Sequence, residues 1–142
     1  MTVAPNPVLP QRVVVAGEAS GAVLALDEPL SFWGGLSAED GRVIDEHHPQ
    51  VGACVTGTVL VMRSGRGSSS ASTVLAEMAR LGTAPAAIVM IDADEILATG
   101  SIVADELYGR AVPIVLVPEA DYPAITAATT ATLTLDGALT LT

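Results

Sequence analysis

The residues best suited to chemistry stand together in one glycine-rich segment, residues 63–70, which contains two arginines and three consecutive serines. Gly65 and Gly67 permit positive φ angles and a close approach of the backbone to a ligand. Arg63 and Arg66 carry planar guanidinium groups that suit a carboxylate or a phosphate. A predicted helix follows, and the N–H groups and dipole at its start favour an anion. The segment therefore predicts an anion-binding loop that carries three hydroxyl groups.

A purely structural role explains the same residue types, because a Gly/Ser turn commonly caps the helix that follows it. The segment is not a nucleotide-binding P-loop, since no lysine follows its glycines. It also lacks the third glycine in phase that a dinucleotide-binding fingerprint needs. The residue types alone leave an anion-binding loop and a plain surface turn both open.

Hydrophobic periodicity predicts the elements that must position this loop. The first half has short β-type runs separated by glycine-rich turns, which favour a β-meander or a small barrel. These runs are residues 12–16, 22–26 and 58–62. The second half alternates predicted helices with apolar runs at 86–91 and 112–117, which is the β-α-β pattern. The tail, 131–142, alternates polar and apolar residues, and we expect it to return to the sheet.

Two helices are predicted in the second half of the chain. The first has apolar residues at helical spacing, with Ser70 or Ser72 as its N-cap and Gly82 as its stop. The second is expected to start near Gly100 and to end at Gly109.

Four other features receive mainly structural interpretations. Adjacent strand residues point to opposite faces, so His47 and His48 are not expected to share a metal ion, and His48 is expected to fix a turn. The acidic residues within 92–95 are expected to cap a helix and to be solvated. Cys54 is expected to be buried in packing. The pair Phe32–Trp33 fits either a pocket wall or a core plug at a tight turn.

Composition limits the class of protein. The 142 residues suit one domain, with 1–10 as a flexible arm and 11–142 as the domain. Sixteen carboxylates against six arginines and no lysine give a charge of -10, which disfavours nucleic acid and anionic membranes as partners. No apolar run approaches the roughly 18 residues of a membrane span, and no signal-peptide pattern is seen, so a cytoplasmic location is expected. A single cysteine cannot by itself hold an iron-sulfur cluster.

Several sequence blocks in order resemble the aconitase X small-subunit family over nearly the whole chain. They are residues 17–21 (GEASG), 26–35 (LDEPLSFWGG), His48-Pro49 followed by Gly52, 60–70 (LVMRSGRGSSS) and 84–88 (APAAI). The resemblance implies a mixed α/β fold, namely an aconitase-type swivelling β/β/α domain. In such a domain a β-barrel-like N-terminal half is followed by β-α-β units.

The resemblance also implies the role of the loop. The chain would be the small subunit of a dehydratase, and an iron or iron-sulfur centre would sit on a separate large subunit and act as Lewis acid on the leaving hydroxyl. Ser68 matches the position of the catalytic serine and is the expected base. A serine acts as a base only where its alkoxide is stabilised, which the helix N-terminus and Arg66 would provide. The expected substrate-binding residues are Arg63, Arg66, Gly67, Ser69 and Ser70.

The resemblance leaves the substrate open between two small hydroxy acids. We favour cis-3-hydroxy-L-proline as the substrate. The alternative is phosphomevalonate, whose phosphate would need cationic partners such as Arg63 and Arg66. A further possibility is a non-catalytic module that binds a small acid or regulates a partner through the same loop.

Overall fold

The strands form one seven-stranded sheet, curled into a half-barrel, in the computed structural model, which describes residues 6–142. In chain order they are β1 Arg12–Val15, β2 Ala19–Ala25, β3 Val59–Val61, β4 Ala87–Met90, β5 Ile114–Leu116, β6 Thr130–Leu133 and β7 Leu139–Leu141. The order in the sheet is β1-β5-β4-β3-β2-β6-β7. Strands β2 to β5 are parallel, whereas β1, β6 and β7 pair antiparallel with their neighbours. The predicted mixed α/β class is confirmed.

Four helices accompany the sheet within the described residues, 6–142. They are the single turn α1 Phe32–Gly35, then α2 Ala71–Leu81, α3 Glu95–Tyr108 and the short α4 Tyr122–Ala127, which follows a 3-10 turn at Glu119–Asp121. None of the helices within the described residues has the length and apolar character needed to cross a membrane. The predicted β-α-β succession is confirmed as β3-α2-β4-α3-β5.

The central strands are apolar at every position because both of their faces are covered. Leu60 and Ile88 point into a core that includes residues of α2 and α3, whereas Val59 and Val89 point into a second core with Ile125 of α4. Alternation along a strand sends successive side chains to opposite faces, so a strand covered on both sides has no polar position. This arrangement explains the uninterrupted apolar runs.

Of the two arrangements predicted for the first half, the barrel-like one agrees with the curled half-barrel sheet, whereas the β-meander is wrong, although its strands exist. Strand β1 lies at the edge of the sheet beside β5, and β2 lies between β3 and β6. Local periodicity identifies a strand but not its partner, and here the short link between β1 and β2 is not a hairpin. At this link Gly17 passes so close to Pro113 that an added Cβ would lie 2.6 Å from its Cγ. The predicted return of the tail to the sheet is confirmed by β6 and β7.

The first predicted helix is confirmed, and the second starts five residues earlier than expected. Gly82 ends α2 with a φ of 80°. Helix α3 begins at Glu95 instead of near Gly100, which lies inside it. The glycine is there because α2 and α3 pack tightly, and an added Cβ would lie 2.7 Å from the carbonyl oxygen of Ser72. Gly100 therefore marks a close contact between two helices and not the boundary of a helix.

The predicted flexible arm, residues 1–10, falls partly outside the described residues. Within the described part, Val8 exchanges two backbone hydrogen bonds with Leu139, of 2.8 and 2.9 Å. Backbone pairing within residues 6–142 therefore includes Val8, which lies in the segment expected to be a flexible arm.

Candidate active site

The segment of residues 63–70, called here the serine loop, joins the carboxyl end of β3 to α2 and is held at its two glycines. An added Cβ on Gly65 would lie 1.8 Å from Oδ2 of Asp94, at the start of α3. Gly67 has a φ of 99°, and an added Cβ there would lie 2.4 Å from Oγ of Ser31. Any larger residue would push the loop away from these two neighbours. The glycines therefore set where the following serines lie.

Ser68 is exposed at the surface of the described chain. Its Oγ accepts a hydrogen bond of 3.1 Å from the backbone N–H of Ser70. A hydrogen bond donated to a hydroxyl oxygen favours the ionised form of that group. The backbone N–H of Ser70 thus supplies one hydrogen-bond donor to Oγ of Ser68, the oxygen predicted from the sequence to act as a base.

The first turn of α2 has fewer free backbone N–H groups for an anion than the sequence predicts. The backbone N–H groups of Ala71, Ser72 and Thr73 donate to the carbonyls of the residues three positions before them. Ser70 occupies the N-cap position but makes no capping bond with its side chain. Within residues 6–142, the N–H groups of residues 67–69 have no acceptor. Donors for an anion therefore lie in the loop itself and not in the first turn of the helix.

The two arginines of the serine loop differ in their surroundings. Arg63 donates to Oε1 of Glu119 at 2.8 Å, and its guanidinium lies 4.9 Å from the centre of the Tyr122 ring. The hydrogen bond from Arg63 to Glu119 raises the pKa of the arginine. Arg66 is exposed and makes no ion pair within the described residues. Of the two, Arg66 is the one free to meet a ligand.

A cavity of about 500 Å³ lies beside the root of the loop. Its lining brings charged groups together from the ends of two neighbouring parallel strands: Asp27 and Glu28 follow β2, and Arg63 follows β3. Asp27 is held by Gln50, whose Nε2 donates to its Oδ2 at 2.7 Å. These two carboxylates were not predicted as site residues from the sequence. Their position directly after the predicted strand 22–26 was the available signal, since ligands commonly bind beyond the carboxyl ends of parallel strands.

Tyr122 forms part of the wall of this cavity and is itself buried. Burial raises the pKa of its phenol, and the nearby Arg63 acts in the opposite direction. The structure therefore places Arg63 in the cavity wall, whereas Arg66, Gly67, Ser68 and Ser69 lie on the exposed part of the loop. The predicted substrate-binding residues are thus divided between two neighbouring places.

The minor sequence predictions meet mixed outcomes. His48 is buried and fixes a turn, since one ring nitrogen accepts from the N–H of Gln50 and the other contacts the carbonyl oxygen of Glu28, both at 3.0 Å. Phe32 and Trp33 divide the two roles considered for them, because Phe32 is 1% exposed and Trp33 is 58% exposed.

The expected burial of Cys54 is wrong. Its side chain is exposed in a loop, where it donates to the carbonyl oxygen of Asp40. The run around it is apolar, but within residues 51–55 only Val55 is fully buried, and Ala53 is partly buried against the core. Hydrogen bonding from Thr56 lowers the pKa of the thiol.

The acidic group at 92–95 has the capping role predicted for it. Oδ1 of Asp94 accepts from the N–H groups of Ile96 and Leu97, at 2.9 and 3.1 Å. Within residues 6–142, no three His, Cys, Asp or Glu side chains converge in a way that could hold a metal ion.

Comparison with known proteins identifies relatives of the whole described region. A family model described as the aconitase X swivel domain matches residues 8–141. A cis-3-hydroxy-L-proline dehydratase of Pseudomonas aeruginosa is 49% identical over 108 residues, which are 76% of this chain and 19% of that protein. A phosphomevalonate dehydratase small subunit of Methanothermobacter thermautotrophicus is 47% identical over 93 residues, which are 66% of this chain and 71% of that subunit.

A solved structure shows the same fold. The crystal structure of Thermococcus kodakaraensis aconitase X in its holo form matches with a TM-score of 0.82 and 30% identity, covering 97% of this chain and 99% of the matched chain. The chain spans about a fifth of the length of the first of these relatives, the hydroxyproline dehydratase.

Proposed function

The chain belongs to the aconitase X swivel domain family, and on this basis we propose that it is the small subunit of a dehydratase that removes water from a small hydroxy acid. The names of its relatives support this reaction class. The observation that carries the proposal is the serine loop, in which an exposed hydroxyl accepts a backbone N–H at the start of a helix.

Ser68 is the proposed catalytic base. As an alkoxide it takes the carbon-bound proton of the substrate, and the electrons of that C–H bond form the new C=C bond while the hydroxyl on the neighbouring carbon leaves as hydroxide. The proton held by Ser68 then passes to the hydroxide, which releases water and restores the alkoxide. The N–H of Ser70 stabilises the charge on the serine oxygen, and Arg66, two residues away, adds a positive charge. Ser69, Ser70 and the N–H groups of residues 67–69 are proposed to orient the substrate carboxylate.

A second polypeptide is required to complete this site. Ser68 and Arg66 are exposed, and Arg63 is the residue of the serine loop that lines the cavity. General base catalysis needs a substrate held in place with water excluded, and an exposed loop provides neither. We propose that an aconitase X large subunit supplies the opposite wall.

Any iron centre belongs to the large subunit in this proposal. The described residues of this chain contain no group of ligands that fits a metal ion, and the single cysteine is far short of the thiolates that a cluster needs. The role assigned to this chain is therefore confined to proton removal and to binding of the substrate.

We favour cis-3-hydroxy-L-proline as the substrate. The cavity beside the loop contains Asp27 and Glu28, and its one arginine is paired with Glu119. Such a cavity attracts an ammonium group and repels a phosphate, because its two carboxylates carry the opposite charge to the first and the same charge as the second. The imino acid carries an ammonium group, whereas phosphomevalonate does not.

Phosphomevalonate is the alternative substrate. It is favoured by the 47% identity to a small subunit named for that activity and by the unpaired charge of Arg66. A phosphate held on the loop side, away from the carboxylates of the cavity, fits this alternative.

The test is an assay of the assembled pair. The chain is co-expressed with the aconitase X large subunit of the same genome, purified without oxygen, and tested for water loss from both compounds. We expect turnover of cis-3-hydroxy-L-proline by the pair and by neither chain alone. Turnover of phosphomevalonate alone would replace the substrate, and an active pair with an unchanged rate after Ser68→Ala would make this loop a binding element only.

A further inference from the structure

Three large apolar side chains stand exposed on one small part of the chain, residues 31–54. Trp33 is 58% exposed, and Ile44 and Val51 are each 50% exposed. Backbone hydrogen bonds bring their three segments side by side: the N–H of Ile44 donates to the carbonyl oxygen of Gly35 at 2.9 Å, and the N–H of Gly52 donates to that of Val43 at 2.8 Å. Exposed apolar residues grouped in this way are typical of interaction sites.

This apolar group, called here the Trp33 patch and formed by Trp33, Ile44 and Val51, is continuous with the serine loop. Oγ of Ser31 donates to the carbonyl oxygen of Trp33 at 2.9 Å. The same Oγ would lie 2.4 Å from a Cβ on Gly67, next to Ser68. A protein that covers Ser68 therefore reaches the patch over the same surface.

The patch is held rigidly, so that its exposure does not come from a loose loop. The neighbouring Phe32 is 1% exposed and anchors the turn in the core. His48, also buried, connects the N–H of Gln50 to the carbonyl of Glu28. A surface that is ordered before binding loses little conformational entropy when a partner covers it.

Exposed carboxylates flank the patch residues in the sequence. Those exposed within residues 27–46 are Asp27, Glu28, Glu39, Asp40 and Glu46. The cation of the same stretch, Arg42, directs its guanidinium to the carbonyl oxygen of Gly52 at 3.0 Å. An apolar group flanked along the chain by exposed carboxylates fits a partner face that has an apolar depression and nearby arginine or lysine.

We propose that the Trp33 patch is the surface on which the large subunit docks, and that docking there places the partner over Ser68. This inference rests on the proposed function, since it takes the partner from it and adds the surface and its chemistry. A tryptophan at the centre of an interface commonly carries a large share of the binding energy.

The test compares the patch with an exposed apolar residue far from the loop. Leu107 is 66% exposed and lies twelve residues beyond the start of α3, or about 18 Å along the helix. Variants Trp33→Ser, Ile44→Asp and Leu107→Asp are each titrated with the large subunit of the same genome, and the thermal unfolding of each isolated variant verifies its fold. We expect Kd to rise at least about tenfold for the two patch variants and to stay within about twofold for Leu107→Asp.

Other outcomes overturn the inference. Unchanged Kd values for both patch variants, or an equal loss with Leu107→Asp, would remove the docking role from this surface. Ser68→Ala separates that failure from a failure of the proposed function, because it should lower turnover by about 10²- to 10⁴-fold while Kd stays the same. If the wild-type chain does not bind the large subunit at all, the proposed function and this inference fail together.

Discussion

Two loops connect neighbouring parallel strands of the sheet to the helices that follow them. The residues at the N-cap positions of these two helices behave differently. After β4, the carboxylate of Asp94 caps α3 by accepting two hydrogen bonds from backbone N–H groups of its first turn. After β3, Ser70 stands at the same position before α2, and its side chain makes no capping bond. The first loop uses its polar side chain to stabilise the helix.

The second loop leaves its polar side chains available. Ser68 is exposed, and Arg66 has no ion pair within the part of the chain that the structure describes. The two loops also meet, since Gly65 of the serine loop packs against the carboxylate of Asp94. The capped start of α3 thus packs against the serine loop, whose own helix α2 has no side-chain cap. The loop after β4 contributes stability, and the loop after β3 keeps its side chains available for function.

Among changes that keep every hydroxyl of the loop, Gly67→Ala is expected to have the largest effect. The new methyl group would collide with Ser31, and alanine is strained at a φ of 99°. A displacement of about 1 Å at a catalytic group can lower a rate by about 100-fold, and we expect kcat of the assembled enzyme to fall by that order.

The control is Gly82→Ala, at the other end of α2. Gly82 also has a positive φ, of 80°, but a Cβ there would meet nothing within 4 Å. It should lose stability and keep kcat. Equal loss of kcat in the two variants would mean that backbone strain alone, and not the position of the loop, explains the effect.

Arg66→Gln is expected to raise KM for the acidic substrate by about tenfold, which corresponds to roughly 1.4 kcal/mol. Arg63→Gln should change KM less, because Arg63 is already paired with Glu119. Steady-state kinetics on the pair measures both. A larger effect at Arg63 would place the substrate carboxylate in the cavity and not on the exposed loop.

Alanine substitutions at the two N-cap positions, Asp94 and Ser70, test the contrast between the two loops through the free energy of unfolding. Asp94→Ala should lower the free energy of unfolding by about 1 kcal/mol, since two backbone N–H groups lose their acceptor. Ser70→Ala should change it by less than about 0.5 kcal/mol, because no capping bond is lost. Denaturant titration of the isolated chain gives both values, and equal losses would contradict the contrast between the two loops.

The sequence predicts the elements of this fold better than their arrangement. The central strands β3, β4 and β5 are recognised because their apolar runs are buried on both faces. The tail is recognised because its polar and apolar residues alternate, and α2 because its apolar residues recur at helical spacing and Gly82 ends it. The partners of β1 and β2 escape prediction, since a strand pattern does not encode its neighbour. Gly100 misplaces the start of α3, because its reason lies in a contact with a second helix.

The site shows the same limit. The serine loop is found from its residue types, but the contacts that position it, with Ser31 and Asp94, come from residues about 30 positions away in the sequence. Cys54 is predicted wrongly because an apolar run in a loop turns only some of its side chains inward. Contacts between distant segments, and not local composition, decide these features.

The most direct measurement is kcat of the assembled pair with Ser68→Ala, beside Ser69→Ala as a matched hydroxyl deletion. Loss of a general base typically lowers a rate by about 10²- to 10⁴-fold, and we expect a loss in this range for Ser68 and a much smaller one for Ser69. Binding of the large subunit should be the same in both. A Ser68→Ala pair that binds normally and turns over at the wild-type rate would contradict the assignment of Ser68 as the base.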